Sequence, residues 1–219
     1  MGSITTVLFD LDGTIVDTNE LIIESFLHTL EGITDKAYTR DDIIPHMGFS
    51  LNEQIKFFTG RDDIEELVKK YRAFNISKHD ELVREFPGVR ETLAELKAAG
   101  MRMGVVTNKM RMTTLMGLKL TGLDAFMDTI VTVEDVALGK PDPAMVIKAL
   151  EQLNVPASEA VMVGDSQYDI LAARAAGVAS VGVGWSLKGE AHLRQFEPTY
   201  IINRIGELID IVGAKRERL

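Results

Sequence analysis

Six short runs rich in apolar and β-branched residues, 5–9, 103–107, 129–133, 160–163, 180–183 and 200–202, punctuate the chain, and each is the length of a strand. From residue 87 onward, segments of helical period lie between them: 89–99 stopping at Gly100, 112–121 stopping at Gly122, and 143–153 entered through Asp142. Regular strand–helix alternation predicts an α/β fold, a doubly wound, Rossmann-like parallel sheet.

One interval breaks the rhythm. Between residues 15 and 86 no strand stands out, only the amphipathic stretches 19–30, 51–58 and 64–84. An insert of about seventy residues is too long for a structureless loop. It predicts a core domain of residues 1–15 and 87–219 and an all-helical domain at 16–86. No internal repeat or low-complexity tract interrupts either part.

Of the 219 residues 46% are apolar, enough for a sizeable core. The net charge of −9 argues against nucleic acid, which requires a basic surface to neutralise phosphates. No cysteine is present, so chemistry must rest on carboxylates, hydroxyls, lysine, histidine or backbone groups. Apolar runs are too short to span a bilayer and no leader pattern precedes the first strand, so no membrane contact and a cytoplasmic location are expected. The start, Met1-Gly2-Ser3-Ile4-Thr5-Thr6, fits an acylation pattern, but tethering Gly2 this close to a strand would crowd the fold.

Ligands of open α/β sheets bind beyond the carboxyl ends of the strands. Four runs end in polar residues there. The first gives Asp10-Leu11-Asp12-Gly13-Thr14, in which Asp10 and Asp12 point to one side of an extended segment. Taken alone, the pair fits a turn or a helix cap equally well. Two carboxylates at a buried sheet edge repel, however, and a bridging cation or a shared proton relieves them. The run 160–163 leads into Gly164-Asp165-Ser166-Gln167-Tyr168-Asp169, which adds further carboxylates, and this oxygen-rich set favours Mg²⁺. After 103–107 come Thr107, Asn108 and Lys109, with a hydroxyl and backbone N–H groups for phosphoryl oxygens; after 129–133 comes Lys140, within a proline-flanked turn that sets it to contact phosphate and carboxylate.

With these four stretches in order over the whole length, the chain resembles the haloacid-dehalogenase superfamily. The resemblance implies Asp10 as nucleophile, Asp12 as acid/base, and Thr107, Asn108 and Lys140 as phosphate binders. It implies Mg²⁺ held by Asp10, Asp12 (through its carbonyl) and Asp165, with Asp169 behind them, and makes the helical insert the family's cap. Dehalogenases lack the second Asp of the first motif, so Asp12 turns the expectation toward phosphoryl transfer from a small phosphorylated substrate. Phosphonatases need a cap lysine, and nothing singles out Lys56, Lys69, Lys70 or Lys78.

In the cap, Arg72, Asn75 and His79 fall at i, i+3 and i+7 on one helical stretch and are the expected substrate contacts; the loop His46-Met47-Gly48-Phe49-Ser50 is a second candidate. Trp185 either closes the rim of the pocket or only packs. The segments 18–23, 71–75 and 117–122 resemble a pyrophosphatase branch of the superfamily linked to dephosphorylation of the seryl-phosphorylated carrier HPr. Phosphoglycolate phosphatases share the motifs, and a sugar phosphomutase or a non-enzymatic binding module are remoter readings.

Overall fold

The apolar runs do form a single sheet. The computed structural model describes residues 3–214, so the acylation pattern's Gly2 lies outside the described residues. In chain order, the first part holds β1 (Thr6–Phe9), β2 (Val16–Asp17), α1 (Asn19–Leu30), α2 (Arg40–Ile43), α3 (Leu51–Thr59), α4 (Glu65–Leu82) and β3 (Arg84–Glu85). There follow α5 (Val89–Ala98), β4 (Arg102–Thr107), α6 (Arg111–Thr121), β5 (Thr129–Thr132), α7 (Ala144–Leu153) and β6 (Ala160–Gly164). The chain continues through α8 (Gln167–Ala175), β7 (Ala179–Val183), α9 (Glu190–Arg194), β8 (Tyr200–Ile202) and α10 (Leu208–Val212).

Six strands pair in the order β5-β4-β1-β6-β7-β8, every pair parallel. The order reverses at β1: the chain winds outward through β4 and β5 on one side and through β6, β7 and β8 on the other. That makes the end of β1 the topological switch point, where neighbouring loops diverge and leave a crevice. The register brings Phe9 level with Val105 and Val163, so Asp10, Thr107 and Asp165 emerge at the same edge.

Both faces of the sheet are dry, which is why its strands read as continuous apolar runs. Leu8, Val106, Val131 and Met162 pack with Met145, Val146 and Ala149 of α7 and with Ala172 and Ala173 of α8. The alternate residues Val7, Phe9, Val105, Val161 and Val163 are equally buried and point the other way.

The chain divides into two compact units, one made of the residues up to Val16 and from Glu85 onward, the other of Asp17–Arg84. The insert is not wholly helical at its ends, because β2 and β3 pair as a two-stranded ribbon where the chain leaves the core and returns. Strands of two residues carry no periodicity, so the sequence gives no sign of them.

Inside the insert, Ile23, Phe26 and Leu30 of α1 meet Ile55 and Phe58 of α3 and Leu67 and Tyr71 of α4. Phe26 is the hub, with its ring centroid 4.7 Å from Tyr71 and 5.7 Å from Phe58. Helix α3 is closed at both ends: Ser50 and Glu53 form a capping box and Gly60 takes a left-handed conformation after the last turn. Phe26→Ala therefore removes the shared contact of three helices and should cost about 3–5 kcal/mol. Hydrogen exchange should show lost protection in peptides from 17–84 while the sheet peptides keep theirs; uniform loss over the chain would refute the separation into units.

Candidate active site

The edge above β1 is organised by Lys140. Its ammonium donates to Asp10 Oδ1 at 2.6 Å, to Asp169 Oδ1 at 2.5 Å and to the Val106 carbonyl at 2.8 Å. These three bonds use all three of its N–H groups. Lys140 and Asp10 are each 7% exposed. Of the phosphate and carboxylate contacts expected of Lys140, the structure holds the carboxylate ones, and a phosphoryl oxygen would have to replace one of them.

Asn108 has a structural part as well. Its side chain is bonded both ways to the Lys140 backbone, accepting from the N–H at 2.8 Å and donating to the carbonyl at 2.9 Å. The amide side chain thus fixes the turn that carries Lys140, whose peptide to Pro141 is cis, and the phosphate contact expected of Asn108 falls to its backbone N–H. Thr107 is buried at the end of β4, and its Oγ1 accepts from the Lys109 N–H at 3.2 Å. The hydroxyl proton can still be donated, as a phosphoryl oxygen requires.

Asp10 keeps its place in the strand ladder through its N–H to the Val163 carbonyl at 2.8 Å. After it the chain turns tightly, the Leu11 carbonyl accepting from Thr14, Ile15 and Val16. Gly13 makes that turn at φ +77°, and a Cβ there would stand 2.5 Å from Asp165 Oδ2. Gly164 similarly leaves room for Asp169, whose carboxyl carbon would be 2.3 Å from an added Cβ.

Oxygens of Asp10, Asp165 and Asp169 lie within 4.8 Å of one another, a grouping able to hold a metal ion. The donors are all hard oxygens, which suits a divalent cation of the Mg²⁺ type. Asp169 is the least open of the three. Its Oδ1 faces Lys140, and its Oδ2 accepts from the Ser166 N–H at 3.0 Å and Oγ at 2.6 Å. It suits a place behind the ligands, with Asp10 and Asp165 in front.

Charge supports the same view. Burial, reinforced by Asp169 and Asp12 and only partly opposed by Lys140, pushes the Asp10 carboxyl up to about 7. Burial and the neighbouring Asp10 and Asp169 raise Asp165 well above the carboxylate range. Burial alone would lower Lys140, but Asp10 and Asp169 outweigh it and hold the ammonium above its ordinary value. One lysine among three carboxylates leaves an excess of negative charge that a bound cation would offset.

Lys109 was read in the sequence only for its place after Thr107 and Asn108, and its side chain was given no role. Its Nζ lies 2.8 and 3.1 Å from the two carboxylate oxygens of Asp12, and both side chains are largely sheltered. Its position beside Thr107 and Asn108 was the available signal. Ser186, whose Oγ donates to the Asp165 carbonyl at 2.7 Å, was passed over as well. The strand-end rule applied to β7 would have drawn attention to it. Trp185 packs on Phe86, centroids 6.0 Å apart.

The expected cap constellation is not brought together. The buried stripe of α4 is Leu67, Tyr71, Asn75 and His79, an i, i+4 series, and Arg72 is exposed. Asn75 Nδ2 donates to Ser25 Oγ at 3.1 Å, an internal tie between α4 and α1. His79 is 1% exposed, with Nδ1 2.7 Å from Asp80 Oδ1 and no partner for Nε2 among the described residues. In the other cap candidate, the His46 ring packs on Phe57 and Phe58, and Ser50 is the α3 cap. Lys56, Lys69 and Lys78 pair with acidic neighbours and Lys70 bonds the Thr29 carbonyl, so none is set up as an imine-forming lysine.

A parallel sheet with a carboxylate cluster beyond β1 and a helical insert after it defines a class of hydrolases, and the sequence profile of the haloacid dehalogenase-like hydrolases matches residues 7–183. The chain belongs to that family. It is 48% identical over 212 residues to Pyrophosphatase PpaX of Bacillus velezensis, covering 97% of this chain and 98% of the relative. Among solved structures, a haloacid dehalogenase-like family hydrolase of Streptococcus pneumoniae superposes with a TM-score of 0.86 at 26% identity, covering 96% of this chain and 99% of that one. A predicted phosphoglycolate phosphatase of Haemophilus somnus 129pt superposes at 0.83 and 25% identity, with coverage of 96% and 99%. No described helix is long and apolar enough to cross a membrane.

Raised carboxyl values in the folded state mean that folding favours the protonated forms. Their contribution is full below the unfolded value near 3.8 and is lost as pH rises through the folded value, about 7 for Asp10. Metal-free protein should therefore lose thermal stability as pH rises from about 4 to about 7, and a divalent cation such as Mg²⁺ should raise the melting temperature more at the higher pH. Differential scanning calorimetry with and without chelator checks this; an equal Mg²⁺ effect at both pH values would contradict it.

Proposed function

We propose that the protein is a Mg²⁺-dependent phosphohydrolase working through an aspartyl-phosphate on Asp10, with inorganic pyrophosphate as substrate. The observation that carries the chemistry is the meeting of Asp10, Asp165 and Asp169 around Lys140 at one sheet edge. The near full-length similarity to a pyrophosphatase supports the substrate. The resemblance of its segments extends the reading to a link with the dephosphorylation of seryl-phosphorylated HPr.

An oxygen of Asp10 attacks phosphorus as the bond to the leaving oxygen breaks, and Asp12 gives that oxygen a proton. Asp12 then takes a proton from water, which attacks the aspartyl-phosphate, freeing phosphate and restoring Asp10. A divalent cation held by the Asp10 and Asp165 carboxylates and the Asp12 carbonyl would supply Lewis-acid stabilisation of charge on the phosphoryl oxygens. Lys140 keeps the nucleophile aimed, Thr107 donates to a phosphoryl oxygen, and Asn108 fixes the Lys140 turn. Lys109 holds the Asp12 carboxylate in place. Positioning and electrostatics thus account for most of the rate, as for phosphoryl transfer generally.

Wild-type protein should release phosphate from pyrophosphate only with Mg²⁺. Asp10→Asn should lower turnover by roughly 10⁴-fold or more and Asp12→Ala by about 10²–10⁴-fold. Phosphoglycolate is the competing substrate, favoured by the structural likeness to a predicted phosphoglycolate phosphatase. Rapid turnover of phosphoglycolate with none of pyrophosphate would replace the substrate assignment and keep the mechanism, whereas full activity in Asp10→Asn would remove the mechanism.

A further inference from the structure

The loop after β7 reaches back to the metal-ligand turn at two points. Ser186 is buried, and its Oγ accepts from the Lys188 N–H at 3.3 Å while donating to the Asp165 carbonyl at 2.7 Å. A serine hydroxyl has one proton, and the Lys188 N–H occupies an acceptor position, so the geometry directs that proton to Asp165. Further along the same loop, Lys188 Nζ donates to Gln167 Oε1 at 3.2 Å and lies 5.7 Å from the centre of the Tyr168 ring. His192 Nε2 stands 3.1 Å from the same Gln167 oxygen, which makes it the donor in that contact.

Gln167 opens α8, and Asp169 lies in the first turn of that helix. The loop thus grips the segment 165–167 by its first carbonyl and its last side chain. We infer that Ser186 is a positioning residue for the metal-ligating Asp165, and that the Lys188–Gln167 contact is the second arm of the same clamp. The inference rests on the proposed metal site. Fixing the Asp165 carbonyl fixes the peptide plane after it, and with it the direction in which the carboxylate leaves the backbone. The strand β6 cannot do this alone, because it ends at Gly164. Lys188 also sits in the field of the cluster: burial lowers its ammonium, while Asp165 and Asp169 act in the opposite sense.

Outer-sphere partners of metal ligands typically change metal affinity by about 10–100-fold when removed. Calorimetric titration with Mg²⁺ should show Ser186→Ala weakened by about 10-fold and Ser186→Thr, which keeps the hydroxyl, within about threefold of wild type. Gln167→Leu alters no charge and leaves Ser186 intact, and should weaken Mg²⁺ by about threefold. It keeps the test alive if Ser186→Ala fails to fold. In phosphate-release assays the half-saturating Mg²⁺ concentration should rise with kcat retained at saturation, a split that general loosening of the fold would not produce. Wild-type affinity in Ser186→Ala and Gln167→Leu would overturn the clamp alone. Absence of Mg²⁺ binding by the wild type would overturn both the clamp and the metal site it serves.

Discussion

An ammonium group buried between two carboxylates and a strand carbonyl sets the conditions for everything else at the sheet edge. Lys140, carried by the segment after β5, donates to Asp10 beyond β1, to Asp169 of α8 and to the Val106 carbonyl of β4. The ends of β1 and β4 and the first turn of α8 are thereby tied to a single atom. Such a network contributes little net stability, since desolvation consumes most of the Coulomb gain, but removing one partner leaves a buried charge unmatched. Its value is geometric: Asp10 presents a carboxylate oxygen in one direction because the other surroundings are spoken for. The two-way amide of Asn108 matters for the same reason, because it holds the backbone from which Lys140 extends.

Much of this was legible in the sequence because it follows from where apolar runs stop. In a parallel sheet with a switch at its first strand, residues after β1, β4 and β6 must share an edge, and Asp10, Thr107 and Asp165 do. What was not legible depends on contacts between distant positions. Lys109 and Asp12 are 97 positions apart, and Ser186 and Asp165 are 21 apart. The side chain of Asn108 could have faced phosphate or the neighbouring turn, and only the place of the Lys140 loop decides. In α4 the helical period of 3.6 makes i+3 and i+4 spacings equally admissible. The packing of α1 selected the 67, 71, 75, 79 stripe and left Arg72 in solvent.

Four carboxylates, Asp10, Asp12, Asp165 and Asp169, are accompanied by three lysines, Lys109, Lys140 and Lys188, through direct pairing or through the field at the metal turn. By formal charge the assembly is negative without a metal ion and positive with a divalent one. An anionic phosphate compound is repelled in the first state and attracted in the second. With the proposed metal site, a sheet edge built this way would couple substrate capture to metal occupancy. On that reading the residues that hold Asp165 in place, although remote from phosphorus, would act on substrate capture as well as on the metal.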